Sequence, residues 1–122
     1  MAPAQRFLAI LAALMGASGV ALAAAGAHSD GGEFVRTASL FLILHAAALI
    51  AVCAHRAGPW PTVAGLALAA GAILFSADLS TRAFLGARLF PYAAPIGGTT
   101  MIVAWLGLAA AFAFKRRSRE AD

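Results

Sequence analysis

Charged side chains are scarce in this chain. Asp, Glu, Lys and Arg make up 11% of its 122 residues, whereas 62% of the residues are hydrophobic. A soluble domain of this size uses about a quarter of its residues as charges to cover its surface. The shortage of charge therefore excludes an ordinary soluble domain and predicts an integral membrane protein.

Cysteine and recognisable catalytic motifs are also scarce. Cys53 is the single cysteine, which excludes an internal disulfide and a cysteine-based metal site, and we interpret it as a small buried apolar residue. The sequence has no nucleophile elbow, no phosphate-binding glycine loop and no paired carboxylates within one helix. An enzyme is the least supported class, and we predict neither a cofactor nor a metal.

Hydrophobic stretches, by contrast, are abundant and long. Four of them reach the roughly 20 residues that a helix needs to cross a bilayer. We predict an all-α fold, a four-transmembrane-helix bundle that forms one integral membrane domain over residues 1–122. The predicted helices cover about residues 7–27, 36–56, 62–85 and 95–114, and a basic tail covers 115–122. Gly86 is the expected C-terminal cap of the third helix.

The first stretch has a second interpretation. Arg6, an apolar run and Ala23-Ala24-Ala25 together imitate a secretory signal with a cleavage site. However, three more hydrophobic segments follow, and the run is long for a signal. Small residues also repeat four apart, as at Ala12 and Gly16, a spacing that lets membrane helices pack closely. We expect the first helix to be retained and packed inside the bundle.

The distribution of Lys and Arg predicts the orientation, because cytoplasmic loops carry an excess of them. With both termini in the cytoplasm, the cytoplasmic side holds six such residues and the opposite, outer side holds three. The six are Arg6, Arg56, Lys115, Arg116, Arg117 and Arg119, and the three are Arg36, Arg82 and Arg88. We therefore expect cytoplasmic N and C termini. The tail cluster of Lys115, Arg116, Arg117 and Arg119 is expected to contact anionic lipid and not nucleic acid.

The third helix carries a single carboxylate, Asp78, close to its outer end. Gly71 lies seven residues earlier on the same helical face, which suggests that this face contacts another helix. Arg82 follows four residues later and can pair with the acid. One interpretation is a structural ion pair that fixes helix register. The other is a proton or cation site, since ionisable groups inside membranes are costly and often functional.

Two histidines and a glycine pair complete the candidate site. His45, near the middle of the second helix, needs a hydrogen-bond partner and is either a buried structural residue or a proton relay. His28 is expected at the level of Asp78, but the spacing of these groups does not support a metal site. Gly97 and Gly98 open the fourth helix at that level. They either allow close packing or present backbone N–H groups to an anion such as Asp78.

Five short motifs in a fixed order resemble a known family. They are Gly26-Ala27-His28, His45-Ala46, Leu74-Phe75-Ser76-Ala77-Asp78-Leu79, Ala94-Pro95-Ile96-Gly97-Gly98 and Ala104-Trp105-Leu106. Together they are similar to the small bacterial inner-membrane proteins of the domain-of-unknown-function family numbered four hundred and twenty-three. The resemblance implies a four-helix protein of the bacterial cytoplasmic (inner) membrane with no established activity. The chain departs from the family at Ser29-Asp30, where Ala-Leu is frequent, and at Ala77, where glycine is frequent.

These observations leave two hypotheses for the function. The first is a structural or accessory membrane protein in which an outer-side polar cluster ties the helices together; its members are His28, Asp78, Arg82, Gly97 and Gly98. The alternative is a small proton- or cation-coupled transporter that uses Asp78 and His45. Four helices enclose little space, so a transporter of this size would work as a homo-oligomer or with other membrane proteins.

Overall fold

The computed structural model of the protein describes residues 1–28, 32–55 and 58–121, with side chains up to Phe114. These ranges contain four α-helices and no β-strand: α1 (Pro3–Ala27), α2 (Gly32–Ala54), α3 (Pro59–Leu85) and α4 (Ala93–Ala121). All four are long and apolar enough to cross a membrane, which confirms the expected all-α, four-helix architecture. The predictions for Ser29, Asp30 and Arg56, and for the tail side chains of Lys115, Arg116, Arg117 and Arg119, lie outside the described residues.

The helices begin earlier than the hydrophobic stretches do. α1 and α3 each start with a proline, Pro3 and Pro59, which suits the first helical position because its missing N–H would have no partner there. α2 starts at Gly32 and has Glu33 in its first turn, where a negative charge interacts favourably with the helix dipole. Helix starts of this kind carry little hydrophobic signal, and the four predicted starts therefore fell two to four residues late.

α4 extends beyond the predicted end at residue 114 and continues to Ala121. The additional residues are mostly Arg, Lys, Glu and Ala, all of which favour helix, and none is glycine or proline. The segment expected to be a basic tail is thus a helical continuation of the fourth membrane span.

The helices pack mainly in sequence order. α2 and α3 lie at the centre, α1 packs on α2 and touches α3, and the α4 backbone comes close to α3 alone among the described helices. Leu8, Leu49 and Leu68, from three different helices, are fully buried in the core between them. α1 buries Ala12 and Gly19 against its neighbours, yet most of its surface is exposed. It therefore lies at the edge of the bundle and not inside it as expected.

The end of α1, the start of α2 and the loop Gly86–Tyr92 lie at the same end of the bundle, which we call the Asp78 end. The two chain termini lie at the other end, the tail end. Which compartment each end faces stays a prediction from the distribution of Lys and Arg.

Candidate functional site

Asp78 is a buried carboxylate whose two oxygens have different partners. It lies seven residues before the end of α3, roughly 10 Å along the helix, and its side chain is 0% exposed. Oδ1 accepts a hydrogen bond from the backbone N–H of Leu89 at 2.7 Å. Oδ2 lies 2.8 Å from Arg82 Nη2, but the angle there is not that of a hydrogen bond. This second contact is therefore an ion pair held by charge attraction.

Arg82 connects this acid to a second helix. Its guanidinium carbon lies 5.7 Å from the centre of the Phe34 ring at the start of α2, within the range of a cation–π interaction. Its buried Nε has no hydrogen-bond partner among the described residues. We call Asp78, Arg82, the Phe34 ring and the Leu89 N–H the Asp78 cluster. The cluster joins α2, α3 and the loop that leads into α4.

The loop Gly86–Tyr92 has an unusual backbone. Gly86 adopts the left-handed conformation with φ of 68° and caps α3, as predicted. Tyr92 has φ of 67° without being glycine, a conformation that costs roughly 1 to 2 kcal/mol. Leu89, midway between them, is the residue bonded to Asp78. The buried carboxylate thus fixes the centre of a loop whose far end is strained.

Gly97 lies where the backbones of α3 and α4 approach each other closely. A Cβ atom placed on Gly97 would lie 2.7 Å from the backbone nitrogen of Phe75 and 2.8 Å from the carbonyl oxygen of Gly71. A Cβ on Gly71 would lie 2.8 Å from the Gly97 carbonyl oxygen. By contrast, a Cβ on Gly98 would meet nothing within 4 Å. Close packing therefore accounts for Gly97, and the N–H that reaches Asp78 comes from Leu89 and not from the start of α4.

His45 is buried and uses both ring nitrogens. Nδ1 lies 2.7 Å from the Phe41 carbonyl oxygen, and Nε2 lies 3.3 Å from the indole nitrogen of Trp105 on α4. A carbonyl only accepts and an indole N–H only donates. The network therefore assigns the hydrogen to Nδ1 and the lone pair to Nε2. His45 is a neutral imidazole that links α2 to α4.

The structure does not bring the two histidines to the Asp78 cluster. The Phe41 ring stacks on His45 with centroids 5.6 Å apart and contacts the Phe75 ring at 4.7 Å, and both rings lie between the levels of His45 and Asp78. His28 ends α1 with an exposed side chain and makes no side-chain hydrogen bond within the described part of the chain. No three His, Cys, Asp or Glu side chains in the described ranges could hold a metal ion together.

Ser76 and Trp105 make inter-helix contacts that were not predicted from the sequence. Ser76 is buried and its Oγ donates to the Ala38 carbonyl oxygen on α2 at 3.3 Å, while Trp105 supplies the donor to His45. A hydroxyl group inside an apolar span often hydrogen-bonds to a neighbouring helix, so the bond made by Ser76 could have been predicted from the sequence. The partner of Asp78 was not, because a backbone N–H in a loop has no signature in the sequence.

The profile of a family described as "Protein of unknown function (DUF423)" matches residues 9–98. The chain belongs to this family. The match spans Phe34, His45, Asp78, Leu89 and Gly97, and it ends before Trp105. The resemblance drawn from the five motifs is thereby confirmed.

Curated relatives of this DUF423 protein carry the name "UPF0382 inner membrane protein YgdD". Those of Escherichia coli (strain K12) and Shigella flexneri are each 31% identical to it over 124 residues, which covers 93% of this chain and 95% of each relative. No solved structure matches the chain. With four helices able to cross a membrane, the protein is a multi-pass protein of the bacterial inner membrane.

Proposed function

We propose that the protein has a structural or accessory role in the inner membrane, and that the Asp78 cluster ties its helices together. The observation that carries this proposal is the state of Asp78. Its carboxylate is 0% exposed, one oxygen accepts the Leu89 N–H and the other is paired with Arg82. One oxygen thus holds the α3–α4 loop directly, and the other holds Arg82, whose guanidinium lies over the Phe34 ring of α2.

The energetic cost of the group supports this role. An aspartate at the centre of a membrane helix costs about 2.5 to 3.5 kcal/mol on insertion scales, and removing one partner of a buried ion pair costs about 3 to 5 kcal/mol. A buried carboxylate is therefore tolerated only where neighbouring groups offset the free energy lost on burying its charge. Here the compensation comes from Arg82 and the loop N–H, and the same contacts hold α3 to α2 and to the α3–α4 connection.

The alternative of proton- or cation-coupled transport through Asp78 and His45 has less support. A proton relay needs an open acceptor and a path, whereas both nitrogens of His45 are occupied. The Phe41 and Phe75 rings also lie between the two groups. These contacts favour dry packing over a shared aqueous route.

Thermal unfolding of Asp78→Asn in detergent tests the proposal. Asparagine keeps an oxygen for the Leu89 N–H but removes the charge that pairs with Arg82. We expect a loss of about 1 to 3 kcal/mol of stability, less than for a fully buried pair, because the Arg82 side chain is 21% exposed. Glu33→Gln is the matched control, because the Glu33–Arg36 pair is 3.8 Å long with both side chains highly exposed, and such surface pairs contribute little.

Two results would count against the structural role. One is an Asp78→Asn protein that unfolds at the same temperature as the wild type. The other is cation flux driven by a pH gradient in proteoliposomes that the wild type supports and Asp78→Asn abolishes, which would favour the transport alternative.

A further inference from the structure

A long apolar groove runs between α3 and α4 on the outer surface of the bundle. Its volume is about 1510 Å³, larger than the roughly 300 to 1,000 Å³ of a typical small-molecule pocket. Most of its lining is small or aliphatic. Representative lining residues are Ala64, Ala67, Val103, Gly107, Ala110 and Ala111.

The α4 side of the groove extends across the whole membrane span, whereas the α3 side of the lining ends at Ala67. Trp60 lines it at the tail end and is 74% exposed, and Tyr92 lines it at the Asp78 end and is 70% exposed. Exposed Trp and Tyr prefer the level of the lipid headgroups. The α4 part of the lining runs from Pro95 to Phe114, nineteen residues or roughly 28 Å. This matches a hydrocarbon core of about 30 Å.

The sequence that follows the groove lining at the tail end is rich in Lys and Arg. The sequence that follows Phe114, the last lining residue, is Lys115, Arg116, Arg117, Ser118 and Arg119. α4 continues unbroken through these residues to Ala121, so four cations follow the apolar lining on the same helix. Basic residues immediately next to a membrane helix attract anionic lipid headgroups.

We infer that this groove binds an anionic phospholipid in the leaflet at the tail end. An acyl chain lies along Ala64, Gly107 and Ala110, and the phosphate is attracted by the four cations that follow Phe114. A second copy of the chain fits the groove less well. Two parallel copies facing each other through it would place eight like charges at one level, and like charges repel.

Native mass spectrometry of the full-length protein in mild detergent tests this inference. The probes are phosphatidylglycerol, which is anionic, and phosphatidylcholine with the same acyl chains, which is neutral overall. We expect one phosphatidylglycerol per chain, retained about tenfold better than phosphatidylcholine because of the four basic residues. Replacing all four with glutamine (K115Q, R116Q, R117Q and R119Q together) should abolish that preference.

Variants that fill the groove distinguish lipid binding in the groove from lipid binding by the basic residues alone. Ala110→Trp should lower phosphatidylglycerol retention several-fold, whereas Ala109→Trp, on the exposed surface of the same helix but outside the lining, should leave it unchanged. Gly107→Leu is a second blocking variant should Ala110→Trp fail to fold. Its first added atom meets only Ala64 Cβ, at 3.7 Å, which is an ordinary contact.

Three results would overturn the inference. Equal retention of the two lipids by the wild type would remove the headgroup preference. Unchanged retention in folded Ala110→Trp and Gly107→Leu would show that the lipid binds elsewhere. A dimer mass that disappears when the groove is filled would identify a second copy as the occupant.

Discussion

Replacing Gly97 with alanine should destabilise the bundle because it forces α3 and α4 apart. The new methyl carbon would lie 2.7 Å from the Phe75 backbone nitrogen and 2.8 Å from the Gly71 carbonyl oxygen. Carbon atoms normally stay about 3.5 to 4.0 Å from their non-bonded neighbours. Both atoms belong to the α3 backbone, so a change of side-chain rotamer cannot relieve the clash and one whole helix must move.

The size of the effect follows from the geometry. Forcing an extra methyl group into a well-packed contact costs typically about 1 to 3 kcal/mol. We expect Gly97→Ala to fall in the upper part of that range, since α3 is the only described helix whose backbone approaches α4 closely. The neighbouring Gly98→Ala provides a matched control with the opposite expectation. Nothing lies within 4 Å of its added carbon, and alanine favours a helix over glycine by about 1 kcal/mol.

The measurement is thermal or SDS-induced unfolding of the two purified variants and the wild type in one detergent. The predicted order of stability is Gly98→Ala at or above the wild type, followed by Gly97→Ala well below it. If both alanine variants unfolded at the same temperature, the assigned α3–α4 contact would be refuted. An added methyl group at Gly97 would then be no more harmful than one at Gly98, which has no neighbour within 4 Å.

Two further predictions concern α4 and the orientation of the bundle. Trp105→Phe removes the indole N–H that donates to His45 Nε2 and should lower the stability by about 0.6 kcal/mol, the average for a hydrogen bond between membrane helices. The control Trp60→Phe, at a 74% exposed position, should unfold like the wild type. A larger loss of stability in Trp60→Phe than in Trp105→Phe would contradict the Trp105–His45 bond. In a Cys53→Ala background, a membrane-impermeant maleimide should label Ala87→Cys in intact cells but Ser118→Cys only after permeabilisation, and the reverse pattern would overturn cytoplasmic termini.

The architecture was predictable from the sequence because a bilayer imposes a strong length and polarity requirement on each span. The pairing of Asp78 with Arg82 was predictable for a similar reason. Residues four apart on a helix lie on one face, so the contact depends on local geometry alone. What remained open was everything set by the relative positions of different helices.

Gly97 and Gly98 illustrate that limit. Adjacent residues in a helix point about 100° apart, so at most one of two neighbouring glycines faces a given helix. The sequence cannot say which one until the rotation of α4 about its axis is known. The same uncertainty applied to His45, because its partner Trp105 lies 60 residues further along the chain.

Two of the buried polar side chains, His45 and Asp78, help to hold α4 in place. Its backbone approaches α3 alone among the described helices, and the hydrophobic effect does not drive helices together inside lipid. Packing at Gly97, the Asp78 bond to the loop before α4 and the Trp105–His45 bond then attach α4 at three different heights. Each contact restricts a different motion: separation from α3, movement of the connecting loop and rotation away from α2. The Asp78 cluster is therefore best understood as one of three attachments of the last helix.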